Sequence, residues 1–142
     1  MAHSAKDFSA LLGTLQGLSD SQLSQHFKLY EGYVKKINEI EEKLMTVDKS
    51  LANYSFGEYS ELKRREATAF NGTYLHEMYF ENMKGTPTEG SDVLKAAMEK
   101  AFGSMENWEK DMRACAASTP GWVLLTYIKV DKQLHHYIMF EH

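Results

Sequence analysis

Six histidines are spread along this chain, and two of them stand where an imidazole could act as a metal ligand. His26 lies beside the apolar stripe of one long helical segment, with Tyr33 seven residues on, two turns along the same face. His76 lies inside the apolar part of a second such segment. If the two segments fold into a hairpin, one imidazole from each points into the same interface, and imidazole nitrogen is a good ligand for Mn, Fe, Cu or Zn. The plain alternative is a pair of core histidines, each bonded to a carbonyl. Other chemistries find less support. A di-iron bundle needs Glu-x-x-His, and the residues three before His26 and His76 are Leu23 and Thr73. No H-E-x-x-H, P-loop or G-x-G-x-x-G occurs. The single cysteine, Cys115, excludes an intramolecular disulfide and is the wrong count for a structural zinc site. With Arg113 as the one charged activator close in sequence, it reads as a buried structural thiol. His135 and His136 sit on a strand and point to opposite faces, so they cannot chelate one ion together. Lys63-Arg64-Arg65 reads as a solvated helix face.

The elements that must hold these groups follow from period and punctuation. Ser19 and Gln22 have capping-box spacing, so a helix starts at Asp20 and runs to about Asp48. Its stripe is Leu23, Phe27, Tyr30, Val34, Ile37 and Leu44. Gly32 within it costs about 1 kcal/mol relative to Ala, which suggests that a close approach uses its missing side chain. Asn53 to Gly57 is a turn, and a second helix spans about Glu58 to Met83, with Leu62, Ala69, Phe70, Thr73, Leu75, His76, Tyr79, Phe80 and Met83 as its apolar content. Two long helices with a short polar connection fold back as an antiparallel hairpin. Lys84 to Gly90 is a linker by composition. Ser91 caps a short helix carrying Val93, Leu94, Ala97 and Met98. Gly103-Ser104 ends it and caps another through about Ala117, with Met105, Trp108, Met112 and Cys115 as buried candidates. After Pro120-Gly121, Trp122 to Val130 and Leu134 to Phe140 read as a β-hairpin turning at Asp131-Lys132.

The fold class is therefore α+β, an N-terminal helical hairpin over residues 1–86 and an α/β domain over 87–142. A two-stranded sheet is marginal alone, so the second domain reads as incomplete, a fold interrupted before its sheet is finished. A length of 142 residues with 43% hydrophobic and 25% charged content suits one ordinary soluble globular protein, not a disordered one. The net charge of -4 leaves no electrostatic footprint for nucleic acid. The longest apolar run, Trp122 to Leu125, is far too short to span a membrane, and the N-terminus has no secretory pattern. A reduced, cytoplasmic setting is expected.

Four motifs, in order, resemble the iron/manganese superoxide dismutase family. His26-Phe-Lys-Leu-Tyr-Glu-Gly-Tyr33-Val34-Lys-Lys-Ile-Asn38 is similar to the family's first-ligand helix, and Phe70-Asn71-Gly-Thr-Tyr-Leu-His76-Glu-Met-Tyr79-Phe80 to its second-ligand helix. Phe102-Gly-Ser104 resembles the family's helix start, and Gly121-Trp122 its strand start. The resemblance implies His76 as a metal ligand. Counting back from Tyr33, the family's first ligand falls at Gln25, one residue before His26; either the helix carries a one-residue deletion relieved as a bulge, or the first ligand is altered, and histidine chemistry favours His26. Tyr33 would be the tyrosine that orders water near the metal. The family's funnel histidine falls at Leu29 or Tyr30, and Phe80 stands where a tryptophan is common. Gly72, four before His76, together with His142 at the end of the second strand, resembles the manganese or metal-tolerant branch, in which His142 would donate to metal-bound solvent. The implied cofactor is one Mn or Fe ion per chain and the implied reaction the disproportionation of superoxide to dioxygen and hydrogen peroxide, by a homodimer or higher homo-oligomer. The family's other two ligands, an Asp and a His, would lie beyond His142. The rival reading is a non-catalytic helical module kept for assembly or interaction.

Overall fold

A computed structural model describes residues 2–142. They form two compact units, Met1–Pro87 and Thr88–His142.

The first unit is a helical hairpin of α1 (Asp20–Thr46) and α2 (Glu58–Glu81). The capping box starts α1 as expected: Gln22 N donates to Ser19 Oγ at 3.2 Å, and Ser19 N donates to Gln22 Oε1 at 3.1 Å. The helix stops at Thr46, two residues early, because Asp48 accepts from Ser50 N at 2.9 Å and caps a short 3-10 turn over Lys49–Leu51. The buried stripe of α1 is Leu23, Tyr30, Val34, Ile37 and Ile40. That of α2 is Ala69, Gly72, Thr73, His76, Glu77 and Phe80. Tyr30 and Val34 cluster with Phe80, whereas Ile37 and Ile40 cluster with Ala69, the pairing that antiparallel helices require. Phe70 and Tyr79, expected inside, are partly exposed and flank this stripe. The expected close approach at Gly32 does not occur: a Cβ there would meet nothing within 4 Å, because residue 32 lies on the solvent side of α1. The N-terminal segment is pinned along the hairpin, with His3 N donating to Asn38 Oδ1 at 2.8 Å and Asn38 Nδ2 donating to His3 O at 2.9 Å. Lys63 pairs with Glu66 and Arg64 with Glu61, as suits a solvated face.

The second unit holds α3 (Asp92–Phe102), α4 (Met105–Ala117), and strands β1 (Trp122–Ile128) and β2 (Gln133–Met139). Ser91 and Ser104 cap the helices through Leu94 N and Asn107 N, and left-handed Gly103 ends α3. The strands pair antiparallel from Trp122↔Met139 to Ile128↔Gln133. β1 stops two residues short of the expected Val130, which is 94% exposed, and β2 keeps its expected length but lies one residue earlier. Lys132, at φ 57°, closes the turn by donating its N–H to Ile128 O at 2.8 Å. The period of two places His135 and His136 on opposite faces, with side chains 39% and 1% exposed. Met105, Trp108, Met112 and Cys115 are half-buried rather than buried, since two strands make a narrow floor for α4. The α+β class stands: a helical N-terminal part followed by helices and an antiparallel sheet. No helix among the described residues is long and apolar enough to cross a membrane.

Candidate metal centre

His26 and His76 meet across the hairpin, their ring centroids 4.9 Å apart at 87°. Helix geometry puts them there. On α1, Leu23, His26, Tyr30 and Tyr33 recur at three- and four-residue steps, so His26 stands on the side that faces α2. On α2, Gly72, His76 and Phe80 follow at steps of four. Gln25, the other candidate for the α1 position, is exposed, and its amide donates to Ser21 Oγ at 3.5 Å. The expected bulge is absent, since α1 is α-helical throughout Asp20–Thr46.

His76 is 1% exposed, and its Nδ1 lies 2.5 Å from the Gly72 carbonyl oxygen. An oxygen without hydrogens requires Nδ1 to carry the ring proton, so the ring's lone pair is at Nε2. A carbonyl holding the second nitrogen of a ligand histidine fixes its tautomer and its orientation. Tyr33 stacks on the same imidazole, with centroids 5.6 Å apart at 27°. His26 packs against Tyr79 at 5.5 Å and Phe80 at 5.1 Å. Burial in this aromatic surrounding pushes the His26 pKa below the usual imidazole range, which favours the neutral ring a metal needs.

Gly72 makes the stacking possible. A Cβ at that position would lie 2.5 Å from Tyr33 Cδ1 and 2.6 Å from Cγ. A buried network lies beside the pair and was not expected. Tyr30 donates to Glu77 Oε1 at 2.9 Å and accepts from Lys6 N at 2.9 Å, and Lys6 Nζ lies 2.8 Å from Glu77 Oε2. Burial, foremost, pushes the Tyr30 hydroxyl up to about 12. A glutamate on the apolar stripe of α2, next to His76, was the available sequence signal; nothing in the sequence marks Lys6 as its partner.

His142 belongs to the second unit. Trp122 Nε1 donates to its Nδ1 at 2.8 Å, which leaves the ring proton of the neutral form on Nε2. Burial lowers its pKa, opposed by Glu141. Within the first unit, the structure thus brings together His26, His76 and Tyr33, and their arrangement suits a first-row transition metal held by imidazole nitrogen.

A family model described as "Iron/manganese superoxide dismutases, C-terminal domain" matches residues 90–142. The superoxide dismutase [Fe] of Aquifex aeolicus is 39% identical over 116 residues, which are 78% of this chain and 54% of that protein. The superoxide dismutase [Fe] of Cupriavidus metallidurans is 34% identical over 139 residues, 94% of this chain and 68% of the relative. The superoxide dismutase [Mn] of Haloarcula hispanica is 32% identical over 114 residues, 78% and 76% of the two chains. The chain spans about half the length of the Aquifex relative.

Proposed function

Because the chain belongs to the iron/manganese superoxide dismutase family, we propose that His26 and His76 are nitrogen ligands to one Fe or Mn ion and that the protein acts in superoxide disproportionation. The observation that carries this reading is the imidazole pair itself, 4.9 Å between centroids, with His76 Nδ1 held on the Gly72 carbonyl. Two neutral, oriented imidazoles fit an Fe or Mn ion as part of its donor set. When bound, such an ion supplies one-electron redox chemistry to the substrate.

The chain's own residues do the rest. His76 is locked by its backbone bond and by the Tyr33 ring stacked upon it. Tyr33 brings a phenolic hydroxyl next to the pair, a group able to hold or pass a proton through ordered water. Phe80 and Tyr79 pack against the half-buried His26 ring. His142 is held through Nδ1 by Trp122, which leaves Nε2–H as the donor of its neutral ring. A net charge of -4 does not attract an anion, so attraction of superoxide falls to local Lys and Arg. The reading includes a homodimer or higher homo-oligomer, and a single cysteine is in keeping with a reducing, cytoplasmic setting.

Metal content per purified chain is the test. Near one Fe or Mn is expected for the unaltered protein and for Gln25→Ala and His135→Ala, with loss in His26→Ala and in His76→Ala, followed by a superoxide-consumption assay. Equal retention in all variants sinks the assignment. A folded, metal-free protein would instead favour the non-catalytic module.

A further inference from the structure

We propose that Asp111, Cys115 and His136 form a separate cation site in the second unit, of the class that takes Zn²⁺. Their ligand atoms all lie within 4.8 Å of one another. Asp111 and Cys115 are four residues apart on α4 and so share one helix face. His136 comes from β2, on the sheet face that carries Leu125 opposite it. The Asp111 Oδ2 atom is the hub, 2.6 Å from His136 Nδ1 and 4.0 Å from Cys115 Sγ. Ligands around a tetrahedral zinc lie about 3.4 Å apart, given bond lengths of about 2.0–2.3 Å. The observed spacings bracket that value, so shifts of well under an ångström at each side chain close the shell.

His136 is fixed in place by burial. Its side chain is 1% exposed, and among the described residues its Nε2 is a buried polar atom with no hydrogen-bond partner. Phe102 and Trp108 enclose the ring, with centroids at 4.6 Å and 6.0 Å. A buried imidazole on this face is a polar group where an aliphatic residue would pack without one. With Nε2 sealed against this apolar wall, Nδ1 is the ring nitrogen that faces Asp111 and can serve as the ligand atom.

Carboxylate, thiolate and imidazole together select zinc-class ions over Mg²⁺ or Ca²⁺. Three protein ligands leave the fourth position to water. On binding, the Cys115 thiol loses its proton to solvent and bonds as thiolate, and the His136 proton moves from Nδ1 to Nε2. Neither step changes an oxidation state.

Co²⁺, added to the metal-free full chain, is the probe, read by the thiolate-to-cobalt charge-transfer band that only Cys115 can give. The band is expected in the unaltered protein and in a His26→Ala/His76→Ala variant, and not in Cys115→Ser. Zn²⁺ affinity is expected to fall at least about tenfold in Asp111→Asn. Zn²⁺ should also protect Cys115 of the unaltered chain from alkylation, a readout that needs no variant to fold. Absence of the band and of protection overturns the site, as does unchanged Zn²⁺ affinity in Cys115→Ser. Loss of the band in the double histidine variant would overturn its separateness.

Discussion

Replacing Gly72 with Ala should injure the hairpin, and replacing Gly32 with Ala should improve it, though both glycines lie mid-helix. At residue 72 the new Cβ would stand 2.5 Å from Tyr33 Cδ1 and 2.6 Å from Cγ. Ordinary carbon–carbon contact is about 3.5–4.0 Å, so the Tyr33 ring must retreat by about 1 Å. That ring is stacked on His76, whose own imidazole is tied to residue 72's carbonyl, so the retreat disturbs both side chains. Overpacking of this kind costs about 1–3 kcal/mol, and the better helix propensity of Ala returns about 1 kcal/mol. A net loss of about 0–2 kcal/mol is expected. At residue 32 the new methyl meets nothing within 4 Å, so only the gain of about 1 kcal/mol applies. At about 4–8 °C per kcal/mol for a unit of this size, the two variants should separate in opposite directions in thermal unfolding followed by far-ultraviolet circular dichroism. Near-ultraviolet dichroism should change in Gly72→Ala alone, since only there does a tyrosine move. Equal stabilisation by both substitutions, with an unchanged near-ultraviolet spectrum, would refute the claim that Tyr33 occupies the space over Gly72.

Ser19→Ala removes the acceptor for Gln22 N and should cost about 1 kcal/mol, read as a lowered urea midpoint. Tyr30→Phe removes the acceptor of Lys6 N and the hydroxyl donor to Glu77 Oε1, and should cost about 1–3 kcal/mol. The same hydroxyl sets an alkaline limit: unfolded tyrosine ionises near 10.0 and the folded one near about 12, so the unaltered protein should lose stability across that interval and Tyr30→Phe should not. In acid the sign comes from His26. Its folded pKa lies below the usual 6.5, so the unfolded chain takes up the proton first, and metal-free protein should lose stability as pH falls through that value; His26→Leu should flatten the slope in a pH series of melts. Lys132→Gly relieves a left-handed backbone at φ 57° and should add about 1 kcal/mol, checked by the same melts.

The elements were legible because their signals are local. Ser19, Ser91 and Ser104 each cap the helix that follows them, and the change of period after Pro120-Gly121 marks the strands. What escaped the sequence was contact between distant residues. Gly32 and Gly72 are alike as letters, and only the packing of α2 against α1 tells open solvent from the face of Tyr33. Lys6 reaches Glu77 and Tyr30 across the first unit, a pairing no short-range pattern encodes. Phe70 and Tyr79 were expected inside on hydrophobicity alone, yet they flank the interface rather than fill it.

The pitch of the helix decides which of Gln25 and His26 shares a face with Tyr33. Seven residues return a straight α-helix to within about 20° of its starting direction, whereas eight leave it about 80° away at 3.6 residues per turn. His26 and Tyr33 are seven apart on an unbroken helix, so both face His76, at centroid distances of 4.9 Å and 5.6 Å. Gln25, eight residues from Tyr33, turns to solvent, where its amide meets Ser21. A bulge would have rotated His26 off the face it shares with Tyr33. The spacing of seven therefore needs no local distortion: it brings His26 and Tyr33 close to one line along α1, while Gly32 stays on the open side, where a Cβ would meet nothing within 4 Å.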